Sequence, residues 1–230
     1  MHSPVTQRGE PGDFASFRAV VCISLRQYFR HAGALFSILF VRLVPFYVFL
    51  WYFPVDDTAM HAIAGTLVVV PALAALVRFA WETVATDAPP TIRDALLGAS
   101  PVVTLKLLGT NLLVVFVVVL LSPLGPTLFI GLVFVWSLVN LITDQVVVIE
   151  GLVLFKAILR SLELVRQVWP VSAGLLLVIV IPDVASLIVY STVEHALWRE
   201  VITHGIDLLT MPFSAFALTS YYQLVRSNPS

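Results

Sequence analysis

The chain has 230 residues, of which 59% are hydrophobic and 12% are charged, and its formal net charge is −1. Together with a mean hydropathy of +0.97, this composition excludes a water-soluble globular protein. The balanced charge gives no indication of a nucleic-acid partner. The single cysteine, Cys22, excludes an internal disulfide and a cysteine-based metal site.

The N-terminal part of the chain divides into two segments of different character. Residues 1–13 contain two prolines and two glycines, which is typical of a disordered tail. In the next segment, 14–30, apolar residues recur at helical spacing: Phe14, Phe17, Val21, Leu25 and Tyr28. The pattern predicts an amphipathic helix that lies in the membrane interface.

Six apolar segments follow, each long enough to cross a bilayer, since about 20 residues at a rise of about 1.5 Å span the hydrocarbon core. They are 33–53, 60–81, 102–122, 126–148, 168–191 and 201–225. The sequence therefore predicts an all-α integral membrane protein with a single six-span domain over 14–230. Aromatic residues near the predicted span ends are typical of an interfacial belt: Trp136, Trp169, Trp198, Tyr221 and Tyr222.

Basic residues are distributed unevenly between the two sides of this six-span arrangement. One side receives 11 of the 13 Lys and Arg residues, the other receives Arg199, and Arg42 falls inside the first span. Basic residues in short loops stay in the cytoplasm, so the asymmetry predicts that both termini are cytoplasmic and that the protein lies in the inner membrane.

A short helical stretch with a small basic signature precedes each pair of spans. The three signatures are Phe17-Arg18-Ala19, Ile92-Arg93-Asp94-Ala95 and Phe155-Lys156-Ala157. In the third stretch, Phe155, Ile158, Leu162 and Val165 form an apolar stripe, and Lys156, Arg160, Glu163 and Gln167 form a polar face. We expect three cytoplasmic interfacial helices and a threefold repeat of one such helix plus a hairpin of spans.

Residues 146–226 carry an apolar run ending in Glu-Gly, then an amphipathic helix, and finally a tyrosine-rich end. The pattern consists of Val146 to Gly151, Arg160-Ser161-Leu162, Trp169, Pro212-Phe213 and Tyr221 to Arg226. It resembles the membrane domain attached to some bacterial glycerophosphodiester phosphodiesterases, and related stand-alone six-span bacterial proteins of unknown function. The resemblance implies a fold and no catalytic residue, because the soluble barrel of those enzymes has no counterpart in these 230 residues.

Polar residues in the inner half of the predicted spans form a first candidate site. They are Arg42, Asn111, Asn140 and Asp144. An unpartnered arginine at mid-span costs about 2.5–3.5 kcal/mol, so we expect Arg42 to pair with Asp144. Such a layer is consistent with a structural ion pair and, alternatively, with part of a solute or proton path.

A second polar set falls in the outer half of the predicted spans. Glu200, His204 and Asp207 share one face of the sixth span, and Asp183 follows Pro182 at a comparable depth. Two carboxylates and an imidazole can bind a cation or act in acid–base chemistry. Alternatively, the aspartates hydrogen-bond backbone groups that proline residues leave free. The set has too few fixed ligands to predict a metal site.

The absence of a catalytic or cofactor-binding motif favours a non-enzymatic protein. Basic residues of the interfacial helices are candidates for binding anionic lipid headgroups: Arg18, Arg26, Arg30, Lys156, Arg160 and Arg166. We therefore expect a membrane domain that binds lipids or a partner, such as another membrane protein or an enzyme encoded nearby. The alternative is a small ion- or proton-coupled transporter that uses Asp183, Asp207 and Arg42.

Overall fold

The computed structural model describes residues 14–52, 58–86, 88–121, 123, 126–193 and 196–227, and within these ranges the chain is helical, without strands. The helices are α1 (Phe14–Tyr52), α2 (Thr58–Thr86), α3 (Ile92–Gly98), α4 (Pro101–Leu121), α5 (Pro126–Val139), α6 (Thr143–Gln145), α7 (Phe155–Gln167), α8 (Trp169–Thr192) and α9 (Ala196–Ser227). A π-helical turn, Val146–Glu150, follows α6 directly. The predicted tail, 1–13, lies outside the described residues.

Three described segments are long and apolar enough to cross a membrane: Val69–Thr86, Gly131–Glu150 and Trp169–Ser186. A fourth is added if Ile92–Gly98 and Pro101–Val114, which meet at an angle of 61°, form one broken span. The described part of the chain is therefore an all-helical structure with three or four candidate membrane spans.

Helix α1 differs from the sequence prediction, which placed an interfacial helix at 14–30 and a separate span at 33–53. The structure instead has one uninterrupted helix of 39 residues, Phe14–Tyr52. The physical reason is the absence of a strong helix-ending signal at the predicted boundary, 30–33, since Gly33 alone costs only about 1 kcal/mol within a helix. By contrast, prolines precede α3 and begin α4, and Gly151 precedes α7, so α3, α4 and α7 begin as separate helices.

The fourth predicted span, 126–148, is also interrupted. Helix α5 ends at Val139, and a turn over 140–142 leads into α6 and the π-helical turn. The turn is held by Asn140, whose Nδ2 donates to the carbonyl of Trp136 at 2.8 Å and whose Oδ1 accepts from Thr143 Oγ1 at 3.3 Å. Asparagine favours such local side-chain bonds over helix continuation.

The core lies around α9, which packs against α1, α2 and α8. Small residues of α2 let the helices approach closely, and aromatic rings fill the space between them. Phe79 of α2 and Phe216 of α9 are both fully buried and meet edge to face with centroids 6.3 Å apart. His31 of α1 stacks on Phe216 at 6.5 Å, so the three helices share one aromatic cluster.

Helices α4 and α5 pack on each other but expose long apolar faces. The most exposed side chains are Val102, Leu105, Leu112, Phe116, Leu120, Leu128 and Val135. A contiguous exposed surface of this kind suits hydrocarbon and not water.

Candidate functional site

The polar contacts that join the most distant parts of the chain converge on Glu150. We define the Glu150 cluster as Glu150, Arg160, Tyr222, Trp81 and Arg226. These residues come from the π-helical turn, α7, the end of α9 and the end of α2. The cluster therefore connects segments that are far apart in sequence.

The local backbone structure positions the Glu150 side chain. The helix ends at Gly151, which adopts the left-handed conformation at φ 71°, a value that glycine reaches without strain. The following loop is tied to α4, because Lys106 Nζ donates to the Gly151 carbonyl at 3.1 Å. In addition, Thr110 Oγ1 accepts from the Leu154 N–H at 2.9 Å.

Both carboxylate oxygens of Glu150 have partners. The Tyr222 hydroxyl donates to Oε1 at 2.5 Å, and Arg160 Nε lies 3.5 Å from Oε2. Arg160 also donates from Nη1 to Glu163 at 2.7 Å, which places the guanidinium between two carboxylates. The hydrogen bond to Glu163 raises the pKa of Arg160 against the effect of burial, and Glu150 adds to the rise, so Arg160 stays cationic.

Aromatic contacts extend the cluster to α2. The Tyr222 ring meets the Trp81 ring edge to face, with centroids 5.8 Å apart. The Arg226 guanidinium lies 5.7 Å from the centre of the Trp81 ring, which is a cation–π arrangement. The end of α9 is thus held by both the ring and the hydroxyl of Tyr222.

The neighbouring tyrosine makes a different contact. The Tyr221 hydroxyl and Ser172 Oγ are 2.5 Å apart, and both residues are buried. This bond joins α9 to α8. The prediction that Tyr221 and Tyr222 belong to an interfacial belt is wrong, because both side chains are fully buried and satisfy their hydroxyls within the protein.

Two of the four residues predicted to form an inner layer contact each other. Asn111 Nδ2 donates to Asp144 Oδ1 at 3.2 Å, which links α4 to α6. Asn140 instead bonds within its own turn. The Arg42 side chain, and with it the predicted Arg42–Asp144 pair, lies outside the described side chains.

The outer polar set lies outside the described side chains as well: Asp183, Glu200, His204 and Asp207. Among the described residues, no group of three or more His, Cys, Asp or Glu side chains could hold a metal ion.

Helix α7 presents three faces to its surroundings. The buried face consists of Ala157, Ile158, Ser161, Leu164 and Val165. An exposed apolar face consists of Phe155, Leu159 and Leu162, and an exposed or half-buried polar face consists of Lys156, Arg160, Glu163 and Gln167. At 3.6 residues per turn, the exposed apolar face lies between the buried face and the polar face.

The predicted apolar stripe of α7 is thus only partly buried. Ile158 and Val165 face the protein, as expected, but Phe155 is 65% exposed and Leu162 is 39% exposed. The sequence pattern assumed only two environments, a core and water. A helix with a separate exposed apolar face suits a position where protein, hydrocarbon and water meet.

Five of the six candidate lipid-binding residues are exposed: Arg18, Arg26, Arg30, Lys156 and Arg166. Arg160 is half-buried and is engaged with Glu150 and Glu163. Its role in the described structure is to hold α7 against the π-helical turn.

Comparisons with family models, with curated proteins and with solved structures find no match to this chain.

Residue-level reasoning did not single out Glu150 and Tyr222 as site residues. They are 72 positions apart, and their contact depends on how α9 packs against the π-helical turn. A usable signal was nevertheless present, since a carboxylate that directly ends an apolar run, followed by glycine, needs a partner close to the membrane surface.

Proposed function

We propose that the chain is a six-span, non-enzymatic protein of the cytoplasmic membrane that binds anionic lipid at its cytoplasmic face. The charge asymmetry of the sequence supports the orientation. The observed bounds of α2, α4, α8 and α9 support four of the six spans, because each contains the predicted apolar segment or differs from it by a residue.

The observation that carries the lipid-binding proposal is the three-faced helix α7. Its exposed apolar face supplies a surface for acyl chains, and its charged face lies beside it. Each basic residue near an anionic membrane surface contributes about 1 kcal/mol, so a few exposed residues suffice for measurable attraction.

Two finer expectations are part of the same proposal. Two units of the threefold repeat are supported by the positions of α3 and α7, each of which precedes a pair of helices, whereas in the first unit the interfacial segment and the span are continuous in α1. The resemblance to the membrane domain of bacterial glycerophosphodiester phosphodiesterases remains a hypothesis.

The alternatives make different demands on the protein. An ion- or proton-coupled transporter needs Asp183, Asp207 and Arg42 to line a connected path, and their side chains lie outside the described ones. A role in binding another membrane protein or a nearby encoded enzyme would use the same cytoplasmic face.

Lipid retention by the purified protein tests the proposal. Five Gln substitutions, at Arg18, Arg26, Arg30, Lys156 and Arg166, are expected to abolish preferential retention of phosphatidylglycerol over phosphatidylcholine in native mass spectrometry. Arg78→Gln is the matched control, because Arg78 is already paired with Glu82. Unchanged phosphatidylglycerol retention in the five-residue variant would contradict the proposal.

A further inference from the structure

An open groove lies along the boundary between the exposed apolar face and the polar face of α7. It has a volume of about 620 Å³ and is lined by Leu159, Leu162, Glu163, Arg166 and Gln167. This volume falls within the range of roughly 300–1,000 Å³ that small-molecule sites occupy. The five lining residues in the described part of the chain come from successive turns of one helix.

The lining divides into an apolar side and a polar side. Leu159 is 64% exposed and lies one helical turn from Leu162, so the two side chains form a continuous apolar surface. Arg166 follows on the same face, and Gln167 lies beside it at the end of the helix. The part of the groove along Leu159 and Leu162 therefore suits an acyl chain, and its end at Arg166 and Gln167 suits a polar headgroup.

The C-terminal end of the groove presents a guanidinium that can bind a phosphate. The Glu163 carboxylate is bound by Arg160, which Glu150 also contacts. Arg166 makes no ion pair with any residue in the described part of the chain, and its position in the last turn of α7 leaves it exposed. Counting Glu150, Arg160, Glu163 and Arg166 gives no net charge, and Lys156 on the adjacent polar face adds one positive charge.

We infer that this groove binds one anionic glycerophospholipid, with its phosphate at Arg166 and Gln167 and an acyl chain over Leu159 and Leu162. The inference rests on the proposed lipid-binding function and refines it from a diffuse basic surface to a single site. Arginine suits this role because its planar guanidinium donates two parallel hydrogen bonds to a phosphate. An anionic peptide fits less well, since Arg166, which has no ion-pair partner in the described part of the chain, lies next to an apolar surface.

The same preparation tests the site through single substitutions in 0.15 M salt, where diffuse surface attraction is screened over about 8 Å. Arg166→Gln is expected to weaken the retention of one phosphatidylglycerol molecule by about tenfold or more, equivalent to about 1.4 kcal/mol. Lys156→Gln removes the same charge from the polar face of the same helix and is the matched control, with an expected loss of about twofold. Because Arg166 is exposed, the thermal stability of both variants should match that of the native protein.

Two further measurements distinguish a lipid headgroup from free inorganic phosphate as the bound group. Leu159→Asn leaves the charge unchanged and is expected to weaken phosphatidylglycerol retention, whereas inorganic phosphate at millimolar concentration should not displace the lipid. Displacement by inorganic phosphate would contradict the lipid assignment. Equal losses of phosphatidylglycerol retention in Arg166→Gln and Lys156→Gln would show that the groove is not a specific site. The proposed function would not be affected by that result, because it fails only if the five-residue variant retains phosphatidylglycerol.

Discussion

The Glu150 cluster and the α4–α5 hairpin are stabilised in different ways. The cluster joins α2, α7 and α9 through a buried tyrosine, a carboxylate, an arginine and a tryptophan. The hairpin exposes many of its described apolar side chains, and a hydrogen bond from Trp136 Nε1 to the Val114 carbonyl at 3.2 Å connects its two helices. One region is specified by directional contacts, and the other mainly by the apolar length of its helices.

This difference follows from the membrane as a solvent. Lipid tails are as apolar as leucine, so apolar side chains gain little from leaving lipid for a protein interior. Hydrogen bonds and close packing of small residues must therefore determine which helices meet. The Glu150 cluster supplies such contacts at one level of the bundle, and the three-ring contact of His31, Phe79 and Phe216 supplies close packing.

The largest effect is expected from removing the carboxylate at the centre of the cluster. Glu150→Ala leaves the buried Tyr222 hydroxyl without its acceptor and removes one partner of Arg160, at a cost of about 3 kcal/mol. The matched control is Glu163→Ala, because Glu163 also binds Arg160 but its side chain is 61% exposed, against 19% for Glu150. An exposed pair of this kind contributes about 0.5 kcal/mol.

Reversible unfolding in mixed detergent micelles, followed by circular dichroism, measures both changes. A double-mutant cycle of Glu150→Ala with Tyr222→Phe should give a coupling of about 1 kcal/mol or more, since the two residues share one bond. Equal destabilisation by the Glu150 and Glu163 substitutions would show that the contacts of Glu150 contribute no more to the free energy of unfolding than an exposed ion pair does.

A smaller effect is expected from removing a phenyl ring in the core. Phe216 is fully buried, whereas Phe116 of α4 is 57% exposed. Phe216→Ala should cost about 2 kcal/mol, less than the roughly 3–5 kcal/mol typical of water-soluble cores, because only the packing loss applies in lipid. Phe116→Ala should leave stability nearly unchanged. The same unfolding measurement compares them, and a comparable loss for Phe116→Ala would mean that α4 packs against protein and not lipid.

The smallest effect on stability is expected at Gly151, in the turn that positions Glu150. Gly151→Ala places a β-carbon at a φ of 71° and should destabilise the protein by about 1–2 kcal/mol. Gly131→Ala in α5 is the control, since its β-carbon would meet no atom within 4 Å and alanine favours helix. Melting temperatures of the two variants in detergent should move in opposite directions, and a fall of the same size in both would remove the argument for backbone strain at Gly151.

Apolar run length was enough to predict most helices, because it is a local property. The prediction of 168–191 for a span compares with Trp169–Thr192 in the structure, and 102–122 compares with Pro101–Leu121. It was not enough at α1, where the predicted boundary between interfacial helix and span has no counterpart. Amphipathic patterning alone does not end a helix, and the predicted boundary at 30–33 contains no proline and one glycine, Gly33.

Contacts between distant segments could not be predicted in the same way. The Asn111–Asp144 bond and the Glu150–Tyr222 bond depend on the packing of whole helices, which no local pattern encodes. The burial of Tyr221 and Tyr222 was mispredicted for a related reason. The hydroxyl of a tyrosine near a span end forms hydrogen bonds either in the membrane interface or within the protein. Which of the two occurs depends on whether a polar side chain of another helix lies within reach.

Cysteine labelling in intact cells tests the central claim, which is a six-span protein with α7 and both termini on the cytoplasmic side. The native Cys22 is exposed on α1 and should react with an impermeant maleimide only after the membrane is broken, so it serves as an internal reference. In a Cys22→Ser background, cysteines at Asp57 and His195 should react in intact cells, and cysteines at Arg93 and Glu163 only after lysis. Labelling at Glu163 in intact cells would contradict the orientation and, with it, the cytoplasmic lipid site on α7.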